Sequence, residues 1–109
     1  MKIIVTGSLG NISKPLTTAL VAQGHKVTVI STDPKKLAVI KALGATGALG
    51  SIADRTFLTN TFEGADAVYA MIPLSFTEPD LGDYFRRMAQ NYAQALENAG
   101  TRRVVVMSG

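Results

Sequence analysis

The apolar run Lys2-Ile3-Ile4-Val5 breaks at Thr6-Gly7 into a glycine-bearing turn, and then into a helical pattern with Pro15 in its first turn. This strand–turn–helix junction constrains the fold more than any other stretch. A strand with no polar alternation is one buried on both faces, which requires helices on both sides of a sheet. Pro early in a helix and Gly just after it, here Pro15 and Gly24, is the asymmetry expected of helix ends.

The pattern then repeats along the chain. Strands are expected at Lys2–Val5, Lys26–Ile30, Thr46–Leu49, Ala67–Ile72 and Arg103–Met107. Helices are expected at Ile12–Gln23, from Asp33-Pro34 to a close at Gly44, at Asp54–Phe62 before Gly64, and at Asp80–Ala99 before Gly100. Leu16, Ala19, Leu20 and Gln23 form the stripe of the first helix. Tyr84, Met88 and Tyr92 form that of the last, assigned to packing or a helix–helix dimer face. Strands alternating with helices imply a parallel α/β sheet of the Rossmann-type, doubly wound kind, about five strands in the order 3-2-1-4-5 with four helices. The last strand then lies at an edge, with its valines half-exposed. The expectation is one domain over residues 1–109, the first part of a longer polypeptide, prone to self-association through that edge.

Composition narrows the function. There is no Cys, which removes disulfides, thiolate catalysis and cysteine zinc sites, and the lone His25 sits in a turn before the second strand. The net charge is +3, but the basic residues are scattered, with no run longer than the pairs Lys35-Lys36, Arg86-Arg87 and Arg102-Arg103. No nucleic-acid role, no metal and no membrane span are expected, and a soluble cytoplasmic protein is the default.

The turn Thr6-Gly7-Ser8-Leu9-Gly10-Asn11-Ile12-Ser13 is suited to a pyrophosphate, which needs backbone N–H donors and the positive end of a helix. Gly7 permits the sharp turn, and Gly10 leaves room for phosphate against the backbone. A mononucleotide P-loop is excluded, since no Gly-Lys-Ser/Thr follows. Thr6, Gly7, Leu9, Gly10, Asn11 and Ile12 are therefore candidate cofactor-binding residues. The end of the second strand carries Ser31 and Thr32 where an NAD site has an acid for the ribose hydroxyl. Asp33 reads as a helix cap. With Lys35 and Lys36 close by, hydroxyl and ammonium groups favour a phosphorylated ribose, so NADP(H) is preferred and NAD(H) is the alternative. Met71, Ile72 and Pro73, ending the fourth strand at the ligand edge, complete the set, with Leu74, Ser75 and Phe76 flanking it.

Thr6-Gly7-x-x-Gly10-Asn11-x-Ser13-x-Pro15, Gly24-His25-x-Val27, Asp33-Pro34-x-Lys36, Phe62-x-Gly64-Ala65-Asp66-Ala67-Val68 and Ala99-Gly100-x-x-Arg103-Val104-Val105-x-Met107-Ser108 together resemble the NmrA-like atypical short-chain dehydrogenase/reductase family. The resemblance covers the whole chain. It implies a dinucleotide-binding domain followed by a smaller substrate domain, in NADPH-dependent reductases of small carbonyls or quinones or in redox-sensing regulators without turnover. It implies that Ser51 takes the adenine contact usually made by an Asp, and that Ser108 sits where catalytic relatives keep a serine for the reacting oxygen. The chain departs from the pattern at Ser13, where the family often has Gly, and at Thr32, where it often has Arg. It contains no Tyr-x-x-x-Lys pair: Tyr69, Tyr84 and Tyr92 precede Pro73, Met88 and Leu96. Three readings follow: an NADPH-dependent oxidoreductase in its cofactor half, an NADP(H) sensor, and a stand-alone nucleotide module. The expected partners are the dinucleotide, a small-molecule substrate and, at most, a second copy.

Overall fold

The computed structural model describes residues 1–6, 13–72 and 80–108. Its elements are β1 (Lys2–Val5), α1 (Ser13–Ala22), β2 (Lys26–Ser31), α2 (Lys36–Ala42), β3 (Thr46–Leu49), α3 (Arg55–Phe62), β4 (Ala67–Ile72), α4 (Leu81–Ala99) and β5 (Val104–Ser108). The strands form one parallel sheet in the order β3-β2-β1-β4-β5. This is the Rossmann-like sheet expected from the sequence.

Alternation along the central strands divides the core in two. Ile3, Val5, Val27 and Val29 pack with Leu20 of α1 and Ile40 of α2. Ile4, Ile30, Val68 and Ala70 pack on the other face with Leu58 and Phe62 of α3, and with Tyr92 and Ala95 of α4. Both faces of β1 are thus dry, which is why its sequence shows no polar alternation. On α4, Met88, Tyr92 and Ala95 are buried while Tyr84 is half-buried against Phe85 edge-to-face, so the stripe serves packing.

Several boundaries differ from the sequence reading, each for a local reason. α2 begins at Lys36, not at Asp33-Pro34: Asp33 Oδ1 accepts from Lys35 N at 2.9 Å and Asp33 O from Lys36 N at 3.1 Å, making a tight turn ahead of the helix. β2 continues through Ser31 because Ser31 pairs with Leu49, and β5 runs Val104–Ser108 because its ladder with β4 begins at Val104. The last two acid caps hold: Asp54 accepts from Phe57 N and Asp80 from Asp83 N, each at 3.0 Å. Gly24 and Gly100 end their helices at φ of 87° and 71°, where a side chain would be strained. At the β5 edge Val104 and Val105 are 40% and 45% exposed. None of the described helices is long and apolar enough to cross a membrane.

The stripe of α1 needs a larger correction. Leu20 is buried and Leu16 half-buried, but Ala19 and Gln23 are exposed, and the fully buried neighbour is Thr17. Thr17 Oγ1 has no hydrogen-bond partner among the described residues. A hydroxyl desolvated without a partner is destabilising, whereas valine has the same shape without the polar atom. Thr17→Val is therefore expected to raise stability by about 1 kcal/mol, read as a higher urea midpoint at unchanged slope. An unchanged or lower midpoint contradicts this account of the α1 interface.

Candidate functional site

The ligand edge of such a sheet lies at the carboxyl ends of its strands, where neighbouring strands lead to opposite faces. Here that point falls between β1 and β4: α1 packs with the face of Val5, and α4 with the face of Ile4. The β1–β4 register ends at Val5↔Tyr69. Thr6 N still donates to Tyr69 O at 3.0 Å, but the next rung is made by a side chain: Met71 N donates to Thr6 Oγ1 at 2.7 Å. Tyr92, from α4, donates its hydroxyl to Met71 O at 2.6 Å and lies 2.9 Å from Thr6 Oγ1. Burial pushes the Tyr92 phenol up to about 12, against the lowering effect of the Thr6 hydrogen bond. Two sequence candidates, Thr6 and Met71, thus hold the fork with groups already committed to each other. Tyr92 joins them, which its apolar spacing alone did not reveal.

At the end of β2, Ser31 is buried at 3% exposure, and its Oγ accepts from Asp33 N at 3.1 Å. Its hydroxyl also reaches Asp33 O at 3.4 Å, so it shapes the turn. Thr32 and Lys35 are exposed beside it, and Lys36 is half-buried at the start of α2. Asp33 Oδ1 is occupied by the Lys35 N–H, which agrees with a turn-forming role for this acid.

The turn after β3 is equally built. Gly50 N donates to Ser31 O at 2.9 Å, and a Cβ on Gly50 would lie 2.5–2.6 Å from the Phe57 ring. Ser51 Oγ accepts from Ala53 N at 3.1 Å, and Asp54 N donates to Ser51 O at 3.0 Å. Asn91 of α4 touches this turn, a contact that no spacing in the sequence announces. Gly7, Leu9, Gly10, Asn11, Ile12 and Pro73 lie outside the described residues, as do Leu74, Ser75 and Phe76. Ile72 and Ser108 are placed in β4 and β5 by their backbone, paired with each other. Among the described residues no cluster of three or more His, Cys, Asp or Glu could hold a metal ion. A cleft of about 420 Å³ lies at the opposite, amino edge, between Asp66, Gly100, Arg102 and Arg103. His25 follows α1 at that same amino edge, before β2 begins.

A parallel sheet forking at the end of its first strand, with Gly7 and Gly10 in the sequence between β1 and α1, is the arrangement of a Rossmann-type domain. The comparisons specify the family. Residues 7–109 match the model of the NAD(P)H-binding family, and the chain belongs to it. Its cofactor is accordingly a nicotinamide dinucleotide. The chain is similar to sterol demethylase protein B of Methylococcus capsulatus, 30% identical over 112 residues, covering 96% of this chain and 33% of that protein. It therefore spans about a third of that relative's length. Among solved structures, it is similar in fold to the triphenylmethane reductase of Citrobacter sp. complexed with NADP(H): TM-score 0.81, 17% identity, 97% of this chain and 36% of that one. An NADPH-dependent quinone oxidoreductase of Escherichia coli also shares the fold, at TM-score 0.72 and 19% identity, over 95% of this chain and 34% of that one.

Two outcomes follow from this geometry. Tyr92→Phe strips Met71 O and Thr6 Oγ1 of a buried partner, and is expected to cost about 1–3 kcal/mol at pH 9. The Tyr92 phenol is raised in the folded state, so its stabilising share is full below the unfolded value of 10 and is lost as pH climbs toward about 12. By pH 11.5 wild type should have lost about 2 kcal/mol through this group. The gap to Tyr92→Phe should then close or reverse, as urea titrations at the two pH values would show; a constant gap contradicts the burial of Tyr92. Separately, Gly50→Ala should cost about 1–3 kcal/mol by driving a methyl into the Phe57 ring, with partial recovery in Gly50→Ala/Phe57→Leu. Equal midpoints for Gly50→Ala and wild type would show that the ring gives way freely.

Proposed function

We propose that this chain is the cofactor half of an NADPH-dependent oxidoreductase of the NmrA-like kind, acting on a small carbonyl or quinone. The observation that carries the cofactor choice is the end of β2. Ser31 stands where an acid would meet the ribose hydroxyl, Asp33 Oδ1 is engaged by the Lys35 N–H of its own turn, and Lys35 and Lys36 supply positive charge. An ammonium pairs more strongly with a ribose phosphate than with a ribose hydroxyl. The turn Gly7 to Ile12 would hold the pyrophosphate. Thr32 and Lys36 would hold the ribose phosphate, and Ser51 would meet the adenine. Met71, Ile72 and Pro73 would border the nicotinamide, with Ser108 nearby in β5. The substrate would be bound by a segment beyond this domain. Two solved structures of similar fold are NADP(H)-linked reductases, which supports the reading.

The alternative reading is an NADP(H) sensor without turnover. NADPH oxidation by the whole protein separates the two readings.

NADP(H) is expected to bind about tenfold more tightly than NAD(H), and Lys35→Ala/Lys36→Ala should remove most of that preference. Calorimetric titration of both cofactors at one salt concentration is the test. Equal or tighter NAD(H) binding contradicts the choice of NADP(H). Gly10→Val should abolish binding of both with the circular-dichroism spectrum retained, because a branched side chain would fill the phosphate's place; binding within threefold of the parent would put the phosphate elsewhere.

A further inference from the structure

The turn that follows β3 is gripped from outside by one side chain of α4. Asn91, half-buried, donates from Nδ2 to Ile52 O and to Ala53 O, both at 3.2 Å. Its Oδ1 accepts from Arg55 Nη2, also at 3.2 Å. These partners lie on both sides of Asp54, the residue that caps α3. The next residue along α4 is Tyr92, which ties the ends of β1 and β4. Adjacent residues on a helix point about 100° apart, so a single step of α4 reaches both the β1–β4 fork and the turn after β3.

We propose that Asn91 is a positioning residue that sets affinity for the adenosine half of the cofactor by orienting the Ser51–Ala53 turn. This rests on the dinucleotide reading above. The adenosine ribose of such a cofactor lies at the carboxyl end of β2, and β3 is the outer neighbour of β2. The base therefore reaches the turn after β3. Ser51 Oγ accepts the Ala53 N–H, which leaves its own proton for an acceptor on the base. That arrangement holds only while the Ile52 and Ala53 carbonyls point toward α4, and the Asn91 amide is the donor that holds them there. Without it both peptide planes turn to water, and Ser51 turns with them.

Asn91→Asp is the informative substitution. It keeps the shape and the acceptor for Arg55, but it replaces the amide donor with a carboxylate facing two carbonyl oxygens. Affinities for NADP(H) and for ADP, which carries the adenosine and the diphosphate without the nicotinamide riboside, should fall together by about tenfold. Amide hydrogen exchange in the free protein should quicken at residues 51–54. Asn91→Gln, which retains the amide, should recover most of both signals. A purely structural role would lower the melting temperature while leaving both affinities unchanged well below it, and that result would overturn the proposal. A loss for NADP(H) with ADP unchanged would overturn it as well. Should Asn91→Asp fail to fold, the smaller cut Asn91→Ser carries the same expectations and the same refutations. Wild-type protein that binds neither dinucleotide nor ADP would refute the underlying reading; wild-type binding with unaltered variants would refute the role of Asn91 alone.

Discussion

The side-chain rung between Thr6 and Met71 is the constraint on which the ligand edge depends. A parallel sheet opens a crevice only where two neighbouring strands send their chains to opposite faces. At such a fork the backbone ladder must stop, and its unpaired groups sit in a place too dry to leave them so. Thr6 resolves this with one hydroxyl, accepting the Met71 N–H and lying 3.3 Å from Met71 O, to which Tyr92 makes the shorter donation at 2.6 Å. Neither an apolar residue at position 6 nor a phenylalanine at position 92 could do the same. The fork is thus a polar knot inside an apolar core. It fixes the ends of β1 and β4.

The outer half of the edge is organised differently. At the ends of β2 and β3 the chain makes its own turns, from Ser31 to Asp33 and from Ser51 to Ala53, with serine hydroxyls accepting backbone N–H groups two residues on. Gly50 lets the second turn lie flat on the Phe57 ring and lets its N–H reach Ser31 O, so the two turns are joined. The side-chain cations beside the end of β2 are Lys35 and Lys36. The inner half of the edge is therefore set by buried contacts, and the outer half by the chain's own turns.

Much of this was legible in the sequence, and the exceptions have physical causes. The strands were readable because a sheet buried on both faces needs unbroken apolar runs, as in Ile3-Ile4-Val5 and Ala67–Ile72. The helix ends were readable because glycine in the left-handed region and an aspartate cap leave fixed marks. Thr17 was not, since a buried threonine without a partner breaks the rule by which core positions are recognised. The start of α2 was misplaced because a capping acid and a turn-forming acid look alike before Pro34. For the site, Thr6 and Met71 were picked out by their position beside the glycine turn and the strand end, whereas their partner Tyr92 and the clamp Asn91 come from a helix distant in sequence. Only topology brings that helix to both the fork and the turn after β3.

The chain contains no Trp, so its near-ultraviolet absorbance and emission belong to three Tyr and four Phe. Tyr92 stands apart among them, sealed from water, stacked over Phe62 at 6.4 Å between centroids, and hydrogen-bonded to a carbonyl. A phenol in that setting absorbs at longer wavelength than one facing solvent, and its chirally packed ring contributes to near-ultraviolet dichroism. The fork consequently carries its own chromophore. Its opening or tightening can be followed optically, without a label and without disturbing the residues that hold it.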